Sequence, residues 1–317
     1  MFQFFAQCRK HLGVIGLGLL VPTSILLTGY TDETIITSNK GDSLDLNPFV
    51  EKGFPFLPGT IDSRKLGPEF PNDNISARVV SVKVGDNAYM AYDTDLLRVT
   101  VAWTGKFLPM VLMPQISYND FFNKGNKVPA ILGKPQFATG SYAGWSTQKP
   151  AYESIKPRPQ DNLNWDPMPA EQGRWNGIYA YRDQAILSYS VGKTNVYELP
   201  GGAQMGDQQI FTRTFRFTGP SQELFLTAAE VDNATSGEVR GKVAYLYHGT
   251  NKDSVTAVAV MGKGGLKLKV DAHGSRFLTV QVPASEKTGE ASIALWRGPV
   301  TKKSDFEKYC KKAKITF

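Results

Sequence analysis

At many segments between residue 77 and residue 296, apolar and polar positions alternate with a period close to two, the spacing of a strand with one buried face. Val80, Val82 and Val84 share one face of the segment 77–84. Gly85-Asp86-Asn87 then supplies turn chemistry before a second strand at 88–93, so the two read as a hairpin. Further strands are predicted at 96–104 and 108–113. After residue 176 the pattern returns at 176–181, 185–191, 194–199, 210–217, 224–230, 241–248, 255–261, 266–270, 277–282 and 291–296. The cleanest alternation is the fourth of these: Phe211, Arg213, Phe215 and Phe217 fall on one face, Thr212, Thr214 and Arg216 on the other. Helical spacing appears only at 304–313, where Ser304 and Glu307 have the form of a capping box. Many short strands separated by turns predict an all-β chain, an antiparallel β-sandwich built either as one large sandwich or in two parts, with a short C-terminal helix.

Two stretches break the pattern. Residues 48–76 interleave Phe49, Phe54, Phe56, Leu57, Leu66 and Phe70 with Pro and Gly, which predicts an ordered, non-helical segment lying over a core. Residues 114–176 are rich in Pro, Gly, Asn and Gln and hold Trp145, Trp165 and Trp175. Disordered segments are poor in aromatic residues, so this long loop region is expected to be ordered. The resulting divisions are 1–29, a signal peptide or N-terminal anchor; 30–47, a leader; 48–235, the main sandwich; 236–300, a β-rich continuation or small second unit; and 301–317, a basic tail.

The N-terminal assignment rests on order. Arg9, Lys10 and His11 precede an apolar run from Leu12 to Leu27, and the first acidic residue is Asp32. That run, about 16 residues and containing Pro22, is shorter than the roughly 20 a bilayer-spanning helix needs. Leu26-Leu27-Thr28-Gly29 resembles the approach to a bacterial lipoprotein cysteine, but Tyr30 has no thiol to acylate. Cleavage near Gly29 and an uncleaved anchor both stay open, the membrane being touched through the N-terminus only in the second case. Either predicts an exported chain: periplasmic, envelope-associated or extracellular.

Charge and composition narrow the chemistry further. The net charge is +7, with much of it in Lys302, Lys303, Lys308, Lys311, Lys312 and Lys314, a solvated basic tail. No helix-turn-helix, zinc-finger spacing or aromatic RNA motif points to nucleic acid. Cys8 lies in the leader, so Cys310 has no partner for an internal disulfide. His248 and His273 lack ligand-spaced neighbours, no Gly-x-Ser-x-Gly elbow is present, and Gly262-Lys263-Gly264-Gly265 lacks the phosphate-loop form. No Cys-x-x-Cys-His exists for a covalent haem. Neither a cofactor nor a metal is expected.

Two constellations remain. Asp93 and Asp95 sit two residues apart beside Arg98, an arrangement that serves acid–base work or a turn in which the carboxylates accept backbone amides and Arg98 pairs with one of them. The aromatic set Tyr142, Trp145, Trp175 and Tyr179 offers rings for stacking on a sugar, or anchors for a core.

Several motifs taken together carry a resemblance. They include Phe54-Pro55-Phe56-Leu57, Leu66-Gly67-Pro68-Glu69-Phe70-Pro71, Asp93-Thr94-Asp95-Leu96-Leu97-Arg98-Val99, Tyr142-Ala143-Gly144-Trp145, Gly173-Arg174-Trp175-Asn176-Gly177-Ile178-Tyr179 and Phe211-Thr212-Arg213-Thr214-Phe215. In this order, over roughly 48–230, the chain resembles an uncharacterised N-terminal domain of large secreted bacterial proteins, which often precedes a sugar-dehydrogenase-like propeller and a c-type cytochrome domain. The resemblance implies an exported β-domain associated with carbohydrate oxidation and assigns no catalytic residue. Three functions follow as expectations: a non-catalytic module binding a glycan or a partner protein; a glycan-active enzyme using Asp93 and Asp95 with Glu171 or Asp183; or a scaffold docking a separate envelope dehydrogenase or cytochrome.

Overall fold

A computed structural model describes residues 55–72, 74–107, 130–150, 152, 167–262, 266–313 and 317. The leader, the strand expected at 108–113, Trp165 and Lys314 lie outside the described residues.

The chain is mostly antiparallel β-structure in two open sheets, sandwich-like, with one short C-terminal helix. One sheet runs in the order β1 (Phe56–Asp62), β2 (Ile75–Gly85), β3 (Ala88–Asp93), β4 (Arg98–Lys106), β5 (Leu132–Ala138), β11 (Leu224–Glu230), β16 (Phe277–Val282) and β15 (Lys269–His273), with the two-residue β6 (Trp145–Ser146) also against β11. The other runs β12 (Ser236–Arg240), β13 (Val243–His248), β14 (Ser254–Val260), β17 (Gly289–Pro299), β10 (Gln208–Thr218), β9 (Thr194–Met205), β8 (Gln184–Val191) and β7 (Gly173–Tyr181). Strands from the last third of the chain enter both sheets: β16 pairs with β11, and β17 lies between β10 and β14.

The strands at 88–93, 224–230 and 277–282 coincide with the alternating pattern, and most of the others extend it by one to several residues. β1, β5, β6 and β12 were hidden in the sequence. Pro58-Gly59 interrupts β1, which tolerates them as an edge strand. Gly133 and Pro135 interrupt β5, where a Cβ on Gly133 would stand 2.0 Å from the Thr104 carbonyl oxygen, so only glycine lets the two backbones approach.

Apolar side chains of the two inner faces meet in one core. Val80, Val82, Met90, Tyr92, Val99 and Phe137 from the first sheet face Leu187, Tyr189, Val196, Phe211, Phe215, Phe217 and Leu295 from the second. Two smaller cores cover outer faces. Leu57, Leu66 and Phe70, from the Pro/Gly-rich entry segment, pack with Ile61, Tyr89 and Trp103 on the outside of the first sheet. The helix α1 (Lys303–Lys312) lays Phe306 and Cys310 on Ile210, Ala257, Ala294 and Trp296 outside the second. Its N-cap is Lys302 and no side chain caps it, so Ser304 does not serve as the cap. Glu307 instead accepts the Tyr245 hydroxyl at 2.7 Å. Lys303 lies 4.1 Å from the Tyr245 ring centroid and bonds Glu238 at 3.0 Å, which clamps the helix to β12 and β13. Among the described residues no helix is long and apolar enough to cross a membrane.

Phe211, Phe215 and Phe217 do share the core face, and Arg213 goes in with them. It is about as buried as they are, at 1% exposed, because Glu198 on the adjoining strand meets it there. Arg213 donates to both Glu198 oxygens, at 2.6 and 3.0 Å. Tyr92 from the facing sheet donates to one of those oxygens at 2.8 Å and Tyr189 to the other at 2.6 Å. Burial, and then the Glu198 charge, pushes both phenols well above their ordinary pKa, so they remain donors.

Candidate functional site

Asp93 closes β3 and Arg98 opens β4, and the two are cross-strand partners. Asp93 Oδ1 accepts the amides of Asp95 and Leu96 at 3.0 and 3.2 Å, and its Oδ2 lies 3.2 Å from Arg98. Leu97, at φ 50°, completes the tight turn in the left-handed region. Arg98 is fully buried and donates to Asn74 at 2.8 Å, Ser76 at 2.8 Å and the Thr139 carbonyl at 2.6 Å. Asp95 faces elsewhere and takes Arg78 at 2.7 Å. Burial, and secondarily the Asp93 charge, raises the Asp95 pKa against the pull of Arg78. Each carboxylate is thus held by its own arginine, and Asp93 is committed to the turn. Glu171 and Asp183 are exposed on the turns before and after β7.

The four aromatic candidates separate. Trp145 is buried edge-on to Phe215, with centroids 5.6 Å apart, and Tyr142 is buried with its hydroxyl donating to Glu230 at 2.7 Å. The cause is the path of the chain through 139–146, which fills the gap between β4 and β11. The Gly144 amide donates to the Leu96 carbonyl at 2.8 Å, and the Thr227 amide donates to the Gly144 carbonyl at 2.9 Å. Neither ring presents a face to a ligand, which corrects the expectation of a stacking platform there. Trp175 is half-buried and parallel to Tyr189, with centroids 6.5 Å apart. Tyr179 alone is exposed.

A cleft of about 660 Å³ opens elsewhere, at one end of the space between the sheets. It forms where the inward-facing positions change character along several strands at once. On β17 the inward series runs Ile293, Leu295, then Arg297; on β14 it runs Val258, Thr256, then Ser254; on β4 it runs Ala102, then Thr104; on β10 it runs Phe211, then Gln209. Apolar residues fill the inter-sheet space until the switch, and polar ones line the open cavity beyond it. Asn87, Lys134, Gln136, Gln204, Asp207 and Gln208 complete the lining. Its amides are partly set in place: Gln204 donates to Gln209 at 2.6 Å, Gln209 to the Ile210 carbonyl at 2.8 Å, and Gln136 to Thr104 at 3.3 Å. A Cβ on Gly202 would stand 2.4 Å from the Val84 carbonyl oxygen, so glycine there lets the β9–β10 hairpin close against the β2–β3 hairpin.

Glu69 and Arg297 form an ion pair in the cleft wall, with Phe70 4.6 Å under the guanidinium. Burial pushes the Glu69 pKa up, but its own backbone amide and the Arg297 charge outweigh that and hold it below the usual carboxylate value. At neutral pH Glu69 is an acceptor of hydrogen bonds, not a proton donor. Behind this wall His248 is buried and 3.1 Å from the Thr256 hydroxyl. Burial, and next the Arg297 charge, lowers its pKa to about 4. Between pH 4 and 6.5 the unfolded chain therefore binds a proton that the folded chain does not, and stability rises with pH across that window, by up to about 3 kcal/mol. Urea unfolding at pH 4.5 and 7 should show this difference. His248→Gln should remove it, and an unchanged slope in the variant would assign the effect to other groups.

Among the described residues no group of three His, Cys, Asp or Glu is placed to hold a metal ion. The hairpin tip Gln204–Gln209 is visible in the sequence as a polar turn. That Asn87, Thr104, Gln136, Ser254 and Arg297 join it is not, since they lie far from it along the chain.

Fold and cleft together define a two-sheet antiparallel β-chain with a recess lined for polar contacts. A family model described as a domain of unknown function (DUF6797) matches residues 90–198, from β3 through β9, and so includes the Asp93 turn and Glu198. No curated protein matches the sequence. Solved structures similar to the chain include a heparinase III gene product (BT4657), at 11% identity and TM-score 0.33 over 69% of this chain and 34% of that one. A heparan sulfate lyase HepC mutant from Pedobacter heparinus is similar at 8% identity and TM-score 0.31, over 74% of this chain and 37% of that one. The chain spans about a third of the length of each.

Proposed function

We propose that this chain is a non-catalytic carbohydrate-binding β-sandwich that takes a neutral oligosaccharide in the inter-sheet cleft. The switch of inward-facing positions from apolar to amide and hydroxyl carries the reading. Five amide side chains, Asn87, Gln136, Gln204, Gln208 and Gln209, each offer donors and an acceptor to sugar hydroxyls. The charges of the lining balance, Lys134 and Arg297 against Glu69 and Asp207, so nothing in it selects strongly for an ionised ligand. Against the enzyme alternative, Asp93 accepts backbone amides, Asp95 is paired with Arg78, and Glu171 and Asp183 lie exposed on the turns either side of β7. The basic-then-apolar N-terminus supports export, where such a ligand would be met.

Calorimetry of the full chain against a panel of neutral oligosaccharides tests the proposal. The double variant Gln204→Ala, Gln208→Ala removes two sets of hydrogen bonds worth roughly 1 kcal/mol each, so affinity should fall about tenfold or more. Absence of heat with the parent protein across the panel would end the carbohydrate reading, and binding unaffected by the double variant would move it out of this cleft.

A further inference from the structure

The outer face of the second sheet is covered over only part of its width. Where α1 lies on it, the face is apolar: Ile210, Ala257, Ala259, Ala294 and Trp296 pack under Phe306 and Cys310. On β7, β8 and β9 the same face has a different composition. Leu187, Tyr189 and Val196 point into the main core, so the residues between them point outward. Strand register then sets Tyr179 opposite Ile186, Tyr181 opposite Gln184, and Tyr197 opposite Ser188. Tyr179 and Tyr181 are 58% and 59% exposed, the most exposed large apolar side chains among the described residues. Tyr179 and Tyr197 stand 6.2 Å apart on neighbouring parts of the face, and Arg182 stacks 5.2 Å from the Tyr181 centroid.

We infer that these three tyrosines form a second ligand surface, a flat platform for the pyranose faces of an extended polysaccharide chain. Composition decides the occupant. A protein element already packs on this sheet, and the sheet meets it with Ala, Ile and Trp. The open part instead sets phenol rings beside the exposed amides of Gln184 and Asn195, with Ile186 opposite Tyr179, pairing π-surface with hydrogen-bonding groups at strand spacing. A sugar chain, with apolar C–H faces and hydroxyl edges, has that alternation; a helix face does not. Tyr179 and Tyr181, two residues apart on one strand, lie about 7 Å from each other along it, so two successive rings of one glycan chain can each meet a phenol. The platform faces away from the inter-sheet space that forms the cleft, so the two sites are separable.

Adsorption of the full chain to insoluble polysaccharides (cellulose, chitin and peptidoglycan sacculi) tests the platform. The parent is expected to adsorb to at least one of them. Tyr179→Ala, Tyr181→Ala removes two stacking contacts of about 0.7 kcal/mol each and should lower the partition constant about tenfold, while Tyr179→Phe, Tyr181→Phe keeps most of it. Because both tyrosines are exposed, the variants should melt as the parent does. Gly202→Val, which forces the hairpins apart at the cleft, should leave adsorption intact, so failure of the cleft reading and failure of the platform are told apart. No adsorption by the parent would overturn the platform. So would a parent dimer that dissociates in the double alanine variant, because the face would then be an interface between copies.

Discussion

Arg213→Ala should destabilise the protein by about 3–5 kcal/mol, among the largest effects of any single substitution. The loss is not the strength of one ion pair. Truncation leaves Glu198 at 1% exposure with no cation, in the middle of the inter-sheet core, where an unpaired carboxylate is costly. It also opens a cavity beside Tyr92 and Phe215, whose rings lie 5.7 and 5.3 Å from the guanidinium carbon. The double variant Arg213→Met, Glu198→Gln separates these causes. Methionine refills most of the volume. The neutral amide accepts from one of Tyr92 and Tyr189 and donates to the other, so no charge stays buried. The double variant should recover at least half of the loss in urea-unfolding free energy. If it is as unstable as Arg213→Ala, the buried charge is not the cause and packing around the guanidinium is.

Arg98→Ala should cost a similar amount, about 3–5 kcal/mol, for a related reason. Arg98 is the shared donor for Asn74, Ser76 and the Thr139 carbonyl, and it pairs with Asp93. Without it the Thr139 carbonyl and Asp93 lose a buried donor, Asn74 Oδ1 is left with the Thr100 hydroxyl, and the segment 139–146 loses one of its ties to β4. Asp95→Asn supplies the contrast. Its partner Arg78 is half exposed, so loss of that pair should change stability by no more than about 1 kcal/mol. If Asp95→Asn abolishes glycan binding while folding is intact, the turn has a role in recognition that its geometry does not disclose. If Arg98→Ala melts like the parent, the buried network does not hold the loop in place.

How much of this was legible in the sequence varies by residue. The alternation that put Arg213 on the face of three phenylalanines was correct as geometry. The sequence offered no way to see that Glu198 would stand beside it on the next strand, because the β9–β10 register decides that. The Asp93–Arg98 turn was readable, since its contacts span only a few residues. Its extension to Asn74, Ser76 and Thr139 was not. Trp145 and Tyr142 looked like loop aromatics because glycine, proline and polar residues surround them. They are core residues because their segment threads between β4 and β11, a crossing that Gly144 permits: a Cβ there would meet the Leu97 carbonyl oxygen at 2.5 Å.

The cleft and the tyrosine platform follow the same division. Each strand carries its own two-residue period, and that period alone determined which side chains share a face: Tyr179 with Tyr181, Leu295 with Arg297, Phe211 with Gln209. The all-β class, the hairpins and the C-terminal helix follow from the same local rule. Which strands become neighbours, and so which faces meet, is set by contacts among residues tens to hundreds of positions apart. Only the tertiary structure decided that the polar ends of β4, β10, β14 and β17 would converge on one cleft. It alone decided that α1 would roof one part of the second sheet and leave Tyr179 and Tyr181 of β7 bare. A sequence records the periodicity of each strand because side-chain direction is local; it does not record the pairing, because pairing is chosen by the free energy of the whole core.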